Sequence, residues 1–504
     1  MRISSLSARS TFAIIISALL ILTGCTQAAD KPFPSATNDA STLDWHKCKK
    51  YFQCATMTLP IDYQDASQGT FDMAVIRFRD PNQHDRLGSL VLNPGGPGVS
   101  GIKYALEAQY VIDPDVLDRY DIVGFDPRGI GESSPIHCLS DAQQDASFSS
   151  DAKPDNQEEF TTLINDAQTF ATSCAAQTDH LASFTTTNTA RDMEALRIAL
   201  GDKKLNYMGF SYGTYLGTVY AQYFPETVGR FVLDGAIDPT MSAYDQNVVQ
   251  AKGFDNALTN FMNHCLKRAT CPLPKTVNAQ FFVDFLAKLA QAPLTSKESP
   301  NRPVTQSLVV TGMASALYDN QSGWPQLRIA FEEAIDGDGT TFLQLADSYS
   351  GRNSDGTYID NQNDANIVIE CLDWYQTRSN IDIQTFAADF AAAAPVFGPY
   401  IAYSGVACNA LNDVVDNHEV GSDQNTVRIS KTATPVLVIG TTQDPATPYA
   451  WAQGLARYIA GSRLITLNGE GHTGYGRGSV CTDTAVDTYL VSGELPAKNL
   501  VCTH

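Results

Sequence analysis

The sequence predicts an α/β fold: a mostly parallel sheet with helices on both faces, broken by one large, mainly helical insertion. Three features predict it. Short apolar segments recur along the chain, SLVLN at 89–93, YDIVGF at 120–125, LNYMGF at 205–210, RFVLD at 230–234, PVLVIG at 435–440 and RLITL at 463–467, with helical stretches between them. Segments apolar throughout belong to strands covered on both faces, as in parallel sheets. The alternation stops between Asp238-Pro239 and about residue 431, where helical runs such as 281–290 and 386–394 and polar loops take over. A stretch enclosed by two sheet strands is an insertion, expected to cap the sheet's carboxyl edge. Finally, about 480 residues beyond the leader exceed one core of ordinary size.

The N-terminus reads as a targeting segment. Arg2 and Arg9 precede an apolar run at 11–22 that is too short to span a membrane comfortably. Leu22-Thr23-Gly24-Cys25 resembles a bacterial lipobox, in which Cys25 is lipidated and becomes the mature N-terminus; an ordinary signal cut after Ala28 or Ala29 is the alternative. Both readings export the protein, and Thr26 after Cys25 directs a lipoprotein to the periplasmic side of the outer membrane or the cell surface. The resulting organisation is a signal peptide over 1–24, a small-residue, Pro-containing tether over 25–42, a first part of the sheet domain over 43–239, a helical cap over 240–430 and a second part over 431–504.

Cysteine usage agrees with export. Apart from Cys25, ten cysteines fall in sequence-close pairs, Cys48/Cys54, Cys138/Cys174, Cys265/Cys271, Cys371/Cys408 and Cys481/Cys502. An oxidising compartment favours five disulfides, with nearest-neighbour pairing expected although spacing alone leaves connectivity open. No Cys-x-x-Cys occurs and no histidine stands at ligand spacing beside the pairs, so no metal is expected. The formal charge of −21, two units more negative without Arg2 and Arg9, disfavours nucleic acid and anionic membrane surfaces as partners; membrane contact is expected only through the lipid.

Within the sheet, 70–79 alternates with the period of a strand. The strand at 205–210 runs into Gly209-Phe210-Ser211-Tyr212-Gly213, and 212–224 reads as a helix with Leu216, Val219, Tyr220 and Tyr223 at helical spacing and Pro225 as a stop. A serine on so tight a strand-to-helix turn is pushed out toward a substrate, and the segment resembles the nucleophile elbow of an α/β-hydrolase sheet. The backbone N–H of Tyr212, at the helix start, points where an oxyanion would form.

A serine hydroxyl needs a base, and the base needs an orienting acid. On this sheet the order is serine, acid, histidine. Four histidines follow Ser211: His264 and His418 lie in the insertion, His504 is the last residue, and His472 sits in the Gly-rich segment 468–474 after a strand. His472 is the expected base. Asp444, after PVLVIG, is the expected acid, with Asp234 at the end of the preceding core strand as the rival position. The loop Asn93-Pro94-Gly95-Gly96-Pro97-Gly98 supplies the second oxyanion donor, Gly96 ahead of Gly95. Gly96-Pro97-Gly98-Val99-Ser100-Gly101 also fits a dinucleotide fingerprint, but Pro97 lacks the N–H that a phosphate cradle uses and export argues against a nicotinamide; no cofactor is expected.

The 93–98 loop is similar to the His-Gly-Gly-Pro-Gly loop of proline iminopeptidases, with Asn-Pro in place of His. Asp126-Pro127-Arg128-Gly129-Ile130-Gly131-Glu132-Ser133 is similar to their Asp-x-Arg-Gly-x-Gly-x-Ser turn. With the elbow, the export signal and the Cys-bearing tail from about 434 to 502, the chain resembles the secreted tripeptidyl aminopeptidase branch of the α/β-hydrolases, including its C-terminal region. The resemblance covers nearly all of the mature chain and is weakest across the cap. It implies serine exopeptidase chemistry on peptides with a free N-terminus. Acidic cap residues recognise the α-ammonium in that family; here Glu370 and Asp373, three apart in Val368-Ile369-Glu370-Cys371-Leu372-Asp373-Trp374, share a helical face and could do so. The other reading of that pair is a solvated helix face. Asp126 and Arg128 are expected to stabilise their own turn. A carboxylesterase without an ammonium site and a catalytically dead binding module are the competing functions.

Overall fold

The computed structural model describes residues 43–374, 379–415, 429 and 431–503; Cys25, His418 and His504 lie outside them. One ten-stranded sheet runs in the order β1-β2-β3-β5-β4-β6-β7-β8-β9-β10. Its strands are β1 (His46–Lys49), β2 (Phe52–Pro60), β3 (Thr70–Phe78), β4 (Gly88–Asn93), β5 (Tyr120–Phe125), β6 (Leu205–Phe210), β7 (Val228–Asp234), β8 (Leu437–Gln443), β9 (Arg463–Glu470) and β10 (Leu500–Thr503). β1, β2 and β3 pair antiparallel, as do β3 and β5; every pair from β5 across to β10 is parallel.

All six residues of β4 and of β5 are buried, which explains their unbroken apolar sequences. Alternate side chains feed the two faces. Val91, Val123, Tyr207, Phe231 and Val438 pack on one side with Leu216 and Leu455; Leu90, Leu92, Ile122, Met208, Val232 and Ile439 pack on the other with Ile102, Val486 and Leu490. Burying a side chain of this size stabilises by about 1.5–3 kcal/mol. β1, β2 and β10 escaped the sequence reading because they lie on the outer parts of the sheet, where one face meets solvent and the apolar pattern is broken.

The chain leaves β4 toward β5, then crosses back over β4 to form β6 on its other side. At such a switch point the loops leaving two neighbouring strands diverge and open a crevice at their carboxyl ends. The loops concerned begin at Asn93 and Ser211.

Between β7 and β8 a run of helices forms its own core, with Phe254, Phe261, Phe282, Met313, Trp324, Phe331 and Phe342 buried against one another. A further cluster joins the helix Gln157–Ala175, which precedes β6, to the helices Gln362–Asp373 and Gly405–Val414 through Phe170, Val368, Leu372 and Leu411. Disulfides Cys138–Cys174 and Cys371–Cys408 lie in that cluster, and Cys48–Cys54, Cys265–Cys271 and Cys481–Cys502 complete the nearest-neighbour set. Five disulfides place the protein outside the cytoplasm. No described helix is long and apolar enough to cross a membrane.

Candidate active site

β6 ends at Phe210 and the helix Tyr212–Tyr223 begins after one residue, so Ser211 alone turns the chain. It does so at φ 55°, ψ −124°, a conformation that costs a non-glycine residue about 1–3 kcal/mol. The surroundings hold it there. The Ser211 N–H donates to the Asp234 carbonyl at 2.8 Å, and the Ser211 carbonyl accepts from the Thr214 N–H at 2.9 Å and from its hydroxyl at 2.7 Å. All three bonds use backbone groups of Ser211, and the hydroxyl takes no part in them. The Tyr212 N–H belongs to the first helical turn, whose amides have no intrahelical acceptor and carry the positive end of the helix dipole.

The 93–98 loop lies against this elbow. A Cβ added to Gly95 would come within 2.5 Å of the Phe210 carbonyl oxygen and 3.2 Å of the Tyr212 nitrogen. Gly95 and Gly96 both take positive φ, 99° and 106°, and the Gly95 N–H is held by the Asn93 side chain at 3.0 Å. The Gly95 N–H is therefore engaged within its own loop.

β8 and β9 carry the other two groups to the same edge. Asp444 follows β8 directly and is buried. Its carboxylate accepts from the N–H groups of Ala446 (2.9 Å), Thr447 (2.8 Å) and Thr473 (3.1 Å) and from the Thr447 hydroxyl (2.9 Å). The remaining contact is with His472 Nδ1, at 2.9 Å from Oδ2 and 3.0 Å from Oδ1. β9 extends through Glu470, so 468–470 are strand rather than loop and the turn bearing His472 starts at Gly471. Asp234, the rival acid, is turned to another task. It is fully buried and accepts from the N–H groups of Gly474 (2.9 and 3.0 Å) and Tyr475 (2.8 Å), anchoring the loop just after His472. Burial pushes its carboxyl up to about 6 against the pull of those amides.

Gly235 joins the two halves. It follows the residue that anchors the Ser211 N–H, and a Cβ there would lie 3.1 Å from His472 Cε1. The imidazole thus rests on backbone adjacent to the serine's own anchor.

Glu370 and Asp373, on the helix Gln362–Asp373, have different surroundings. Asp373 is buried, accepting from the Thr186 N–H at 2.8 Å and the Thr186 hydroxyl at 2.5 Å, and that hydroxyl also meets the Tyr212 phenol. Burial pushes Asp373 up to about 7. Much of the Glu370 side chain meets water, yet protein surrounds it closely enough that desolvation, then the Asp373 charge, push its carboxyl up to about 7. Tyr349, 46% exposed and also raised chiefly by desolvation, hydrogen-bonds Tyr318, and both phenols feel the Glu370 charge. Asn366, one turn before Glu370, hydrogen-bonds it and donates to the Pro97 carbonyl at 3.1 Å. The same helix therefore braces the Gly-rich loop.

No motif pointed to Tyr318, Asp319 or Arg477 at this site. The Tyr318 carbonyl accepts from the His472 N–H at 2.9 Å, its ring stands edge-on to the imidazole with centroids 5.2 Å apart, and Arg477 Nη1 pairs with Asp319 at 2.8 Å. Asp126 and Arg128 are consumed internally, Asp126 by Ser100, Ile102 and Glu132, Arg128 by Asp192 and the carbonyls of Pro60, Ile61 and Ser183. Among the described residues no group of three His, Cys, Asp or Glu side chains is arranged to hold a metal.

The family model for the alpha/beta hydrolase fold matches residues 88–478. The chain belongs to that family. It is 34% identical over 463 residues to the serine protease Hip1 of Mycobacterium tuberculosis (strain ATCC 25618 / H37Rv), spanning 89% of this chain and 87% of that protein. It is also 34% identical over 488 residues to Carboxylesterase B of the same strain, spanning 93% and 91%. Tripeptidyl aminopeptidase of Streptomyces lividans is 29% identical over 479 residues, spanning 91% and 86%. The chain is accordingly a serine hydrolase of the α/β-hydrolase fold.

Proposed function

We propose that the protein is an exported serine peptidase of aminopeptidase type, releasing tripeptides or other short N-terminal units through an acyl-enzyme. The observation that carries the reading is Glu370, an accessible carboxylate whose charge reaches Tyr318, the residue whose backbone carbonyl holds the His472 backbone N–H. An anionic group there suits a peptide's α-ammonium through charge-assisted hydrogen bonds. Asp373, hydrogen-bonded to Thr186, supports Glu370 by adding negative potential rather than by direct contact. The relatives named serine protease and tripeptidyl aminopeptidase support the peptidase class.

In this mechanism Ser211 Oγ attacks the scissile carbonyl while His472 Nε2 takes its proton. Asp444 holds the Nδ1 proton and stabilises the imidazolium. The N–H groups of Tyr212 and Gly96 receive the oxyanion, and losing one such donor costs about 10²–10³ in kcat. His472 then gives its proton to the leaving amine, and water attacks the acyl-enzyme by the same route reversed. The organisation fits a hydrolase core over 43–239 and 431–504 with a cap over 240–430, tethered through a lipidated Cys25.

Carboxylesterase activity is the second reading, favoured by the equal similarity to Carboxylesterase B. Peptide arylamides with free and with acetylated N-termini, assayed beside simple esters, separate the two. Preference for the free amine is expected, and equal hydrolysis of both arylamides would reject the aminopeptidase assignment. Ser211→Ala is expected to abolish turnover while leaving the thermal transition in place; activity near wild type would remove Ser211 from the mechanism.

A further inference from the structure

The imidazole of a catalytic histidine must be held against rotation, and Asp444 restrains it only at Nδ1. The turn bearing it is glycine-rich, with Gly471 at φ 99° and Thr473 at φ 68°, so its backbone needs bracing from outside. Asp444 and Asp234 brace it from the sheet side at the Thr473, Gly474 and Tyr475 N–H groups, and the insertion braces it from the other end. The turn Tyr318–Ser322 links the helices Gln306–Leu317 and Gly323–Ile335, and its Tyr318 carbonyl accepts from the His472 N–H at 2.9 Å. The Tyr318 ring meets the imidazole edge-on at 88°. Asp319 Oδ2 pairs with Arg477 Nη1 at 2.8 Å, and Arg477 stands five residues after His472 in the same loop. Arg477 Nη2 reaches back to the Tyr318 carbonyl at 3.5 Å. The turn Tyr318–Ser322 is thus tied to the His472 loop at two points, the His472 backbone and the Arg477 side chain.

We propose that Tyr318 and Asp319 are positioning residues for His472: the inserted helices, and not the sheet alone, hold the base in its working orientation. The inference rests on the catalytic assignment of Ser211 and His472. The phenol of the same Tyr318 hydrogen-bonds Tyr349, and both phenols feel the Glu370 charge. One residue of the insertion therefore touches the base and feels the expected amino-group carboxylate, so the cap is part of the catalytic apparatus and not only its cover.

Asp319→Asn tests this cleanly. Asp319 Oδ1 accepts from the Gln321 and Ser322 N–H groups at 2.7 and 3.0 Å, and an asparagine keeps that acceptor while losing the charged contact to Arg477. The turn should persist and only the brace should go. The measurements are kcat and KM on a free-amine peptide arylamide, the rate of labelling by a fluorophosphonate, and the melting temperature. A misplacement of about 1 Å costs roughly 10²-fold, so a fall of about 10–100-fold in kcat is expected. KM should stay within about twofold, labelling should slow in parallel, and Arg477→Gln should add little on top of Asp319→Asn, because both remove one interaction. Wild-type labelling rates in Asp319→Asn and Arg477→Gln, or a rise in KM alone, would overturn the proposal. Labelling that survives Ser211→Ala would instead overturn the catalytic assignment, and the inference with it.

Discussion

Glu370→Gln combined with a pH series is the sharpest test of amino-group recognition. The Glu370 carboxyl is pushed up to about 7, first by desolvation and then by Asp373, whose own carboxyl stands at about 7. The two titrate as a pair, so the site gains negative charge over one broad interval around neutrality. A raised carboxyl is protonated below that interval and cannot pair with an ammonium. At two units below, about 1% of it is ionised, a loss of up to roughly 100-fold in recognition; water at the site screens the charge and lowers that figure. The readout is kcat/KM for a free-amine peptide arylamide divided by kcat/KM for its acetylated counterpart. Effects on the catalytic step act on both substrates and cancel in the ratio. The ratio should climb from pH 5 to pH 7 and decline again above about pH 8, where the substrate's own α-amino group loses its proton. In Glu370→Gln the acid-side climb should vanish. Free-amine KM at pH 7 should rise roughly 10-fold, the low end expected for a charged hydrogen bond of about 1.5–3 kcal/mol. A wild-type ratio independent of pH, or a variant that keeps the wild-type ratio, would refute the assignment of Glu370.

Gly95→Ala should leave a folded protein with kcat reduced by about 10²-fold or more, since the added Cβ would press on the Phe210 carbonyl at 2.5 Å and displace the elbow; steady-state kinetics near wild type would show that the 93–98 loop is not set by that contact. Replacing Cys371 and Cys408 together by serine opens a loop of 37 residues, worth about 3–4 kcal/mol by chain entropy. It should lower the melting temperature and raise the free-amine KM, because Cys371 adjoins Glu370 on the same helix; an unchanged KM would separate that bridge from the amino-group site. Thermal stability should be greater at pH 5 than at pH 8. Buried Asp373 and Asp234 stand at about 7 and about 6 against an ordinary value of 3.8, so the folded state binds these protons more tightly. Their contribution is complete below pH 3.8 and is lost as the pH rises through 6 and 7. A melting temperature that increases steadily from pH 5 to pH 8 would contradict that sign.

Much of the site was legible because its chemistry is written in local backbone requirements. A serine between two glycines at the end of an apolar strand specifies a strained turn wherever the strand lies. The doubled glycines after β4 mark a backbone that must approach another chain segment closely, as Gly95 does at Phe210. The order of segments along the chain placed Asp444 and His472 beyond the strands that follow the insertion. Strand length was less legible at β9, where Asn468, Gly469 and Glu470 look like a loop in composition yet continue the pairing, with Glu470 opposite Gln443.

The sequence by itself determined the doubly covered sheet, the elbow at Ser211 and the loops that could serve it, since hydrophobic period and glycine placement act within a few residues. Tertiary structure decided which aspartate faces His472, because Asp234 and Asp444 both follow strands and differ only in which amides the folded loops offer them. It also separated Glu370 from Asp373, which helical spacing made equivalent: Thr186 closes over one and water reaches the other. And it brought Tyr318 to the His472 turn across a long stretch of chain, through a hydrogen bond between two backbone groups that is invisible in any side-chain pattern.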